Sequence, residues 1–390
     1  MRVFNRTDKS VLSTWWWTVD RPLLLALILL MLIGVFMVSV ASPSVAQRLD
    51  LESFHFTIRH LFFLAPAFLI LIGVSMLPPR HIWRLSLAGL IASLCAMGLV
   101  LVLGQEIQGA KRWLPLFGFS LQPSEFAKPA LVVVIAWLIS VQMEKHRDMP
   151  GLADFIPSGI FYLICIVLLA LQPDFGMAFV VTCIFGTQIF LAGMPLRWLT
   201  LFLGLLVSGV FLAYMVFDHV KSRFDRFFNP EKGDTYQIEQ SLEAFRHGGI
   251  AGTGPGQGTI KLHLPDAHAD FIFSVAGEEL GFIFVVCLIG LYAFVILRGF
   301  NRIMDSGNLF VVLAVAGLLV QFALQAFIHM GSSMNILPTK GMTLPFISYG
   351  GSSLLAMSYS MGVVLSLTRY RQKRNTGKAM FSSKPLTGAL

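Results

Sequence analysis

The chain alternates long apolar blocks with short polar connections almost from end to end. A transmembrane helix needs about 20 predominantly apolar residues to cross the hydrocarbon core of a bilayer. Ten blocks approach or exceed this length, and they are continuous rather than striped on one face. The pattern therefore predicts an all-α polytopic membrane protein with about ten transmembrane helices, at residues 22–43, 60–77, 83–104, 124–142, 155–171, 175–192, 195–217, 270–297, 309–330 and 345–368.

Composition points to the same class. Hydrophobic residues make up 56% of the chain and charged residues 13%, whereas a soluble domain has about 25% charged residues. A net charge of +8 in a soluble protein would indicate nucleic acid, but here most Lys and Arg lie in short loops and tails. We therefore interpret them as topology signals and expect no nucleic-acid partner. The four cysteines lie in apolar blocks without CxxC spacing, so we expect packing residues, no disulfide and no metal site.

The distribution of Lys and Arg predicts the orientation, because cytoplasmic loops carry an excess of both. With the N-terminus in the cytoplasm, the cytoplasmic segments hold 17 of them and the short external loops hold 5. Another six lie in a long external loop, and long loops translocate largely regardless of charge. We therefore expect a cytoplasmic tail at 1–21, a transmembrane domain at 22–368 with a large extracytoplasmic loop at 218–269, and a basic cytoplasmic tail at 369–390.

Polar residues that interrupt the apolar pattern gather at the predicted outer ends of the helices. The first group, at 109–128, runs from a short external loop through a non-helical stretch with Gly and Pro into the fourth span. Glu125 and Lys128 are one helical turn apart there. They form either an ion pair that anchors the helix end or, together with Arg112, a cationic site for a phosphate-bearing headgroup.

Carboxylates lie at the same level. Asp174 follows a proline in the corner before the sixth span, where a plain turn explains it equally well. Asp270 stands at the start of the eighth span, just after His268, and either caps the helix or acts as a general base at the mouth of a membrane cavity. Glu278 and Glu279 come two turns later and must face a cavity or a partner, because charges within a span are costly.

The remaining polar residues lie in the long external loop and in the segment before the last span. YQIEQSLEAF at 236–245 has the spacing of a short amphipathic helix on the membrane surface. The Gly-rich run at 248–258 predicts a flexible or tightly turning loop rather than a nucleotide site. In 330–353, Lys340 lies between two Pro-containing turns and could neutralise a phosphate, while Ser348 and the small residues after it allow close helix packing.

These cations and carboxylates converge on one membrane level, which suggests an amphiphilic substrate with an anionic head. In the same clusters the chain closely resembles the SEDS family, which includes the FtsW, RodA and SpoVE types. The resemblance runs from about Leu23 to Arg371 and rests on GAKRW with QPSEFAK, QPDFG, YQIEQSLEA, LPDAHADFIFSVAGEELG and LPTKGMTLPFISYGGSS, in that order. LPTKG at 337–341 and GEELG at 277–281 are most similar to FtsW, the cell-division branch.

The resemblance implies a peptidoglycan glycosyltransferase of the bacterial inner membrane. Its substrate would be lipid II, an undecaprenyl-pyrophosphate-linked disaccharide pentapeptide, which it would polymerise into glycan strands during septal cell-wall synthesis. A cognate class B penicillin-binding transpeptidase and other divisome proteins are the implied partners. The family's catalytic base matches Asp270, and functionally important cavity positions match Arg112, Glu125, Lys128 and Lys340. No cofactor is assigned, and a divalent cation, Mg²⁺ or Mn²⁺, stays open beside the pyrophosphate.

Four further residues and two other functions are compatible with the sequence. The secondary candidate residues are Asp174, His268, Glu278 and Ser348. A lipid II flippase needs a polar path through the membrane, and residues within the spans could line part of one: Glu278, Glu279, Gln321, Gln325 and His329. The concentration of polar residues at one face and the lack of an internal repeat weigh against it. A non-catalytic divisome scaffold is the other alternative.

Overall fold

The computed structural model describes residues 10–107, 110–116, 119–145, 151–228, 236–338 and 341–369. It is almost entirely helical, with 13 α-helices and three short strands among these residues. The helices are α1 (Val11–Thr18), α2 (Arg21–Arg48), α3 (His55–Met76), α4 (Pro79–Leu103), α5 (Pro123–Lys145), α6 (Ile156–Leu171), α7 (Phe175–Leu191), α8 (Leu196–Val216), α9 (Asp218–Phe228), α10 (Tyr236–Gly248), α11 (Ile272–Ile303), α12 (Leu309–Ser333) and α13 (Gly351–Leu367).

Each of the ten predicted apolar blocks falls on one of these helices. Within the described ranges, eight segments are long and apolar enough to cross a membrane, and α7 and α13 are shorter apolar helices of 17 residues each. The prediction of an all-α polytopic fold is therefore confirmed. Additional helices that hydropathy does not mark are α1, α9 and α10, which are too short or too polar to span.

Helices α5, α12 and α13 form the centre of the bundle. Most of the side chains of these three helices are buried against protein. Helix α8 lies at the periphery, where Ala213 is its buried residue and most of its other apolar side chains face outwards. Apolar side chains that face lipid are expected in a membrane protein, because lipid tails are as apolar as the side chains themselves.

The connection between α4 and α5 is a small antiparallel sheet of β1 (Gln105–Ile107), β2 (Ala110–Leu116) and β3 (Phe119–Leu121). The sequence predicts a non-helical stretch here but not the strands. The backbone N–H of Gln122 donates to Ser352 Oγ at 3.1 Å, which ties the end of the sheet to the start of α13. We call this end of the bundle the strand end.

Helix α11 is broken at Gly281, which has φ of 76° and ψ of −179°. The Gly-rich run supplies hydrogen bonds that the break removes from the helix: Phe282 N–H donates to Gly249 O at 2.9 Å, and Thr253 N–H donates to Glu278 O at 3.0 Å. A side chain at Gly281 would overlap the backbone of this run. The predicted tightly turning loop is thus packed into a gap in a membrane helix, where irregular backbone is tolerated because protein covers it.

Helix α10 forms where the amphipathic spacing predicts it. Its small residues Ser241, Ala244 and Gly248 are buried against α11, and Phe245 packs edge-on against Phe273 of that helix. The helix therefore covers the first turns of α11 with these residues, a packing role that the spacing did not predict.

The last span begins later than the sequence predicts. Helix α13 starts at Gly351, and residues 341–350 form an irregular, mostly buried segment that we call the entry loop. Phe346 adopts a left-handed φ of 66° within it, and the Tyr292 hydroxyl of α11 donates to Pro345 O at 2.6 Å. Hydropathy misses this loop because its buried apolar residues resemble those of a helix.

Candidate functional site

Glu125 and Lys128 form a buried ion pair in the first two turns of α5. Lys128 Nζ lies 2.9 Å from Glu125 Oε2, and both side chains are nearly inaccessible to solvent. Lys128 Nζ also donates to Gln325 Oε1 on α12 at 3.2 Å. A buried ammonium is tolerable only with such partners, so the pair keeps a cation inside the bundle at its strand end.

Gln325 joins this ion pair to the entry loop. Its amide Nε2 lies 3.2 Å from Thr343 O, 3.1 Å from Thr343 Oγ1 and 3.2 Å from Ser353 Oγ. The sequence indicates Gln325 only as a residue that could line a polar transport path. A polar side chain inside an apolar span is the signal that marks it, but its partners are distant in the chain and become visible only in the structure.

Asp270 lies in a turn just before α11, beside the entry loop. Its backbone N–H donates to Asp266 O at 3.0 Å, and its side chain is half-buried. A Cβ added to Gly341 would lie 2.8 Å from Asp270 Oδ2, so the absence of a side chain at Gly341 lets the loop approach the carboxylate. The helix begins two residues after Asp270, at Ile272.

Ser348 fastens the entry loop to the Asp270 turn. Its hydroxyl donates to Ala269 O at 2.7 Å and accepts from Leu344 N–H at 2.8 Å. The Tyr349 N–H donates to His268 O at 3.0 Å. Ser348 therefore acts on the backbone next to Asp270, in addition to the close packing that small residues permit.

His268 packs between two rings and is a neutral side chain. Its ring centroid lies 4.1 Å from Phe56 and 5.1 Å from Tyr349. Burial, with a smaller contribution from the Arg48 guanidinium, lowers the pKa of His268 to about 4. At neutral pH the imidazole is therefore uncharged, and its place next to the Asp270 turn is a packing position.

Arg112 and Asp174 each make hydrogen bonds at the corner between α6 and α7. The Arg112 guanidinium donates to Gln172 O at 3.2 Å and to Pro173 O. Asp174 Oδ1 caps α7 by accepting from Met177 N–H at 3.2 Å. A guanidinium has five N–H donors, so these bonds orient Arg112 without using all of its donors.

Glu278 and Glu279 are fully buried and face a partner rather than a cavity. Glu278 accepts from the N–H groups of Ile260 and Lys261 at 2.8 and 2.9 Å. Glu279 forms an ion pair with Lys261. Glu278, a secondary candidate on the sequence, thus holds the segment that precedes α11.

The remaining predicted residue, Lys340, lies outside the described residues. Among the residues that the structure does describe, no group of three or more His, Cys, Asp or Glu lies together as a metal site would require. The structure brings Glu125, Lys128 and the Asp270 turn into contact with one element, the entry loop, directly or through Gln325. Arg112 and Asp174 form a separate pair of contacts at the α6–α7 corner.

A family model described as "Cell cycle protein", covering FtsW, RodA and SpoVE, matches residues 20–373. The chain belongs to the FtsW/RodA/SpoVE family. It is 43% identical over 369 residues to "Probable peptidoglycan glycosyltransferase FtsW" of Caulobacter vibrioides, covering 94% of each chain. The Escherichia coli O6:H1 protein of the same name is 35% identical, with 89% of this chain and 85% of that protein covered.

Solved structures show the same fold. A chain described under "Structural coordination of polymerization and crosslinking by a peptidoglycan synthase complex" superposes with a TM-score of 0.74 at 28% identity, covering 90% of this chain and 98% of that one. The Thermus thermophilus rod shape determining protein RodA gives a TM-score of 0.67 at 27% identity, with 92% and 99% covered. Within the family the chain is most like FtsW.

Proposed function

We propose that this chain is a peptidoglycan glycosyltransferase that polymerises lipid II into glycan strands during septal cell-wall synthesis. The observation that carries the proposal is the contact of the Asp270 carboxylate with an entry loop that also reaches the buried Lys128 through Gln325. A carboxylate and a cation placed around one loop suit a reaction in which a hydroxyl loses a proton and a pyrophosphate leaves. The names of the FtsW relatives support the same activity.

In the proposed reaction a sugar 4-hydroxyl attacks the anomeric carbon of a lipid-linked donor. The new glycosidic bond forms as the bond from that carbon to undecaprenyl pyrophosphate breaks, and Asp270 accepts the hydroxyl proton. Arg112, Lys128 and Lys340 would offset the negative charge that develops on the pyrophosphate. Glu125 would hold the Lys128 side chain in place by pairing with it.

A divalent cation, Mg²⁺ or Mn²⁺, would polarise the pyrophosphate if it bound there. The described residues do not gather three ionisable ligands for it, so most of its ligands would come from the substrate and water. Asp270 is proposed to take the hydroxyl proton and is not assigned as a ligand of this cation.

We place the protein in the bacterial inner membrane at the division septum, with both termini in the cytoplasm. The excess of Lys and Arg in the predicted cytoplasmic segments, 17 against 5 in the short external loops, supports this orientation. We propose that the chain consists of cytoplasmic tails at 1–21 and 369–390 and a transmembrane domain at 22–368, which includes a large extracytoplasmic loop at 218–269. Likeness to a chain from a peptidoglycan synthase complex supports a class B penicillin-binding transpeptidase as partner.

A lipid II flippase is the second candidate, and one observation favours it. The Gln321 amide is buried in α12 without a hydrogen-bond partner among the described residues, and it lies one turn from Gln325. Against this function, Glu278 and Glu279 are occupied by the segment before α11. A leaflet-sidedness assay in vesicles separates the two: transport of lipid II without polymerisation would support the flippase.

The direct test is glycan-strand formation from lipid II by the purified protein, with and without its penicillin-binding partner. We expect glycan strands to form at least when the penicillin-binding partner is present. Transfer of lipid II between leaflets with no polymer under either condition would contradict the proposal. Normal division by cells that carry only the Asp270→Asn variant would instead favour the non-catalytic scaffold.

A further inference from the structure

The segment from Gly256 to Lys261 is fastened to the second turn of α11 by two buried carboxylates. Glu278 accepts from Ile260 N–H at 2.8 Å and Lys261 N–H at 2.9 Å, and its Oε1 lies 3.0 Å from His247 Nδ1. Glu279 accepts from Gly256 N–H at 2.5 Å and Gly258 N–H at 3.3 Å. Both carboxylates are thus satisfied by backbone amides, as buried charges require.

A buried ion pair closes the same contact. Lys261 Nζ pairs with Glu279 Oε1, and both side chains are buried. Lys261 Nζ also lies 3.4 Å from Val40 O on α2, and the Arg48 guanidinium of that helix donates to Leu264 O at 2.6 Å. The segment before α11 is therefore held on one side by α11 and on the other by α2.

Asp270 lies about midway between Lys261 and the two glutamates along the chain. The bonds from Glu278 and Glu279 to residues 256–261 close a short loop of chain, and Asp270 stands at its turn. We call these contacts the carboxylate clamp: Glu278, Glu279 and Lys261 with the amides of Gly256, Gly258 and Ile260. Fixing both ends of a short loop limits the positions that its middle can occupy.

The break at Gly281 leaves the first turns of α11 dependent on tertiary contacts for their orientation. In a continuous helix the membrane-embedded part would set the direction of the first turns, but Gly281 interrupts the helix between Glu279 and the rest of α11. The Gly-rich run bonds to both sides of the break. Before it, Thr253 and Gly254 N–H donate to Glu278 and Glu279 O, and after it, Phe282 N–H donates to Gly249 O. The first turns of α11 are therefore oriented by tertiary contacts, among which the clamp is the charged one.

We propose that Glu278, Glu279 and Lys261 are positioning residues that hold Asp270 in its catalytic place, an inference that rests on the proposed glycosyltransferase function. They do not touch the reacting groups themselves. A misplacement of about 1 Å in a catalytic group can cost about 100-fold in rate. Loosening the clamp therefore lowers kcat, while the groups that bind the pyrophosphate stay in place and KM changes little.

The experiment compares Glu279→Gln and Glu278→Gln with wild type in lipid II polymerisation, well below the unfolding temperature. We expect kcat to fall about tenfold or more, with KM changed by less than about twofold. Glu243→Gln is the matched control, because the contact that Glu243 makes within the described part of the chain is an exposed pair with Arg246 at 3.7 Å on α10. Its kcat and KM should equal those of wild type.

A second measurement reports how firmly the Asp270 turn is held, without any substrate. Hydrogen–deuterium exchange of peptides covering Ala269 and Asp270, whose N–H groups bond to Asp266 O, should speed up about tenfold or more in the Gln variants and stay unchanged in Glu243→Gln. If Glu279→Gln does not fold, Glu278→Asp replaces it, because the shorter side chain cannot reach both amides. Hydrogen–deuterium exchange also distinguishes failure of the proposed function from failure of the clamp inference. A wild-type protein without polymerase activity would overturn the function, and the exchange rates would still show whether the clamp holds the Asp270 turn.

Unchanged kcat in both folded Gln variants would overturn the inference. Loss through KM alone would also overturn it, since the clamp would then act on substrate binding. As a rescue, Lys261→Gln combined with Glu279→Gln replaces the ion pair by two amides, and the double variant should recover part of the kcat lost in Glu279→Gln. A shared role would be contradicted if the kcat of the double variant, relative to wild type, fell below the product of the relative kcat values of Lys261→Gln and Glu279→Gln.

Discussion

Lys128 shows how one residue can serve both the fold and the reaction. Its ammonium is buried beside Glu125 and Gln325, so the same contacts that make it tolerable in the bundle also hold it in the site. The sequence left an anchoring ion pair and a cationic site as alternatives. The structure contains the pair and places it in contact with the entry loop through Gln325, and activity data on variants can separate its two roles.

Lys128→Met leaves the Glu125 carboxylate buried without its cation. Breaking a buried pair from one side costs about 3–5 kcal/mol, so we expect a lower thermal midpoint and loss of polymerisation. The double variant Lys128→Met/Glu125→Met should recover the midpoint but not the activity. Differential scanning fluorimetry and the lipid II assay measure the two effects, and recovery of activity by the double variant would show that Lys128 is structural only.

His268 gives a pH dependence of stability. Its pKa lies at about 4 in the folded protein because burial disfavours the charged ring, against about 6.5 in an unfolded chain. The unfolded chain thus binds more protons between these values. The contribution of His268, at most about 3 kcal/mol, is present above pH 6.5 and is lost as the pH falls towards 4. His268→Phe should flatten this part of the stability profile, and an unchanged profile would contradict the assignment.

At the scale of elements, hydropathy finds the ten spans because crossing a bilayer sets their length. It does not find the break in α11 or the entry loop before α13. In both places irregular backbone is covered by protein, so the residues stay as apolar as those of a helix. Gly281 followed by continuous apolar sequence gives no periodic signal, and its left-handed φ is visible only in three dimensions.

Gly281→Ala should destabilise the protein, because a left-handed φ of 76° disfavours any side chain and a Cβ would overlap the backbone of residues 250–252. The cost should exceed about 1 kcal/mol. Gly290→Ala is the control in the same helix, where a Cβ meets nothing within 4 Å. That change should be neutral or stabilise by up to about 1 kcal/mol, and equal midpoints for the two variants would contradict the proposed break.

The distribution of Lys and Arg along the chain predicts which end of the bundle faces outwards. The sequence predicts the polar clusters at one membrane level, and the structure brings α5, α12, the Asp270 turn and the entry loop together at the strand end. The sequence could not supply their partners, because Lys128 and Gln325, or Ala269 and Ser348, are far apart in the chain. It could mark them as polar groups that need partners.

Cysteine labelling tests the orientation. In a background where the four native cysteines are replaced by Ser, Asp266→Cys lies in the turn before Asp270 and Asp305→Cys lies between α11 and α12, and both positions are exposed. A membrane-impermeant maleimide should label only Asp266→Cys when the outer membrane is permeabilised and the inner membrane is intact. Labelling of Asp305→Cys instead would reverse the proposed topology.

The role of Asp270 as the base is tested by comparing Asp270→Asn with Asp266→Asn in lipid II polymerisation by purified protein. Asp266 lies in the same turn, its side chain is exposed, and its left-handed φ of 50° suits Asn. We expect Asp270→Asn to lose at least about 100-fold in rate with an unchanged thermal midpoint, and Asp266→Asn to keep its activity. Full activity of a folded Asp270→Asn variant would contradict the assignment of Asp270 as the base.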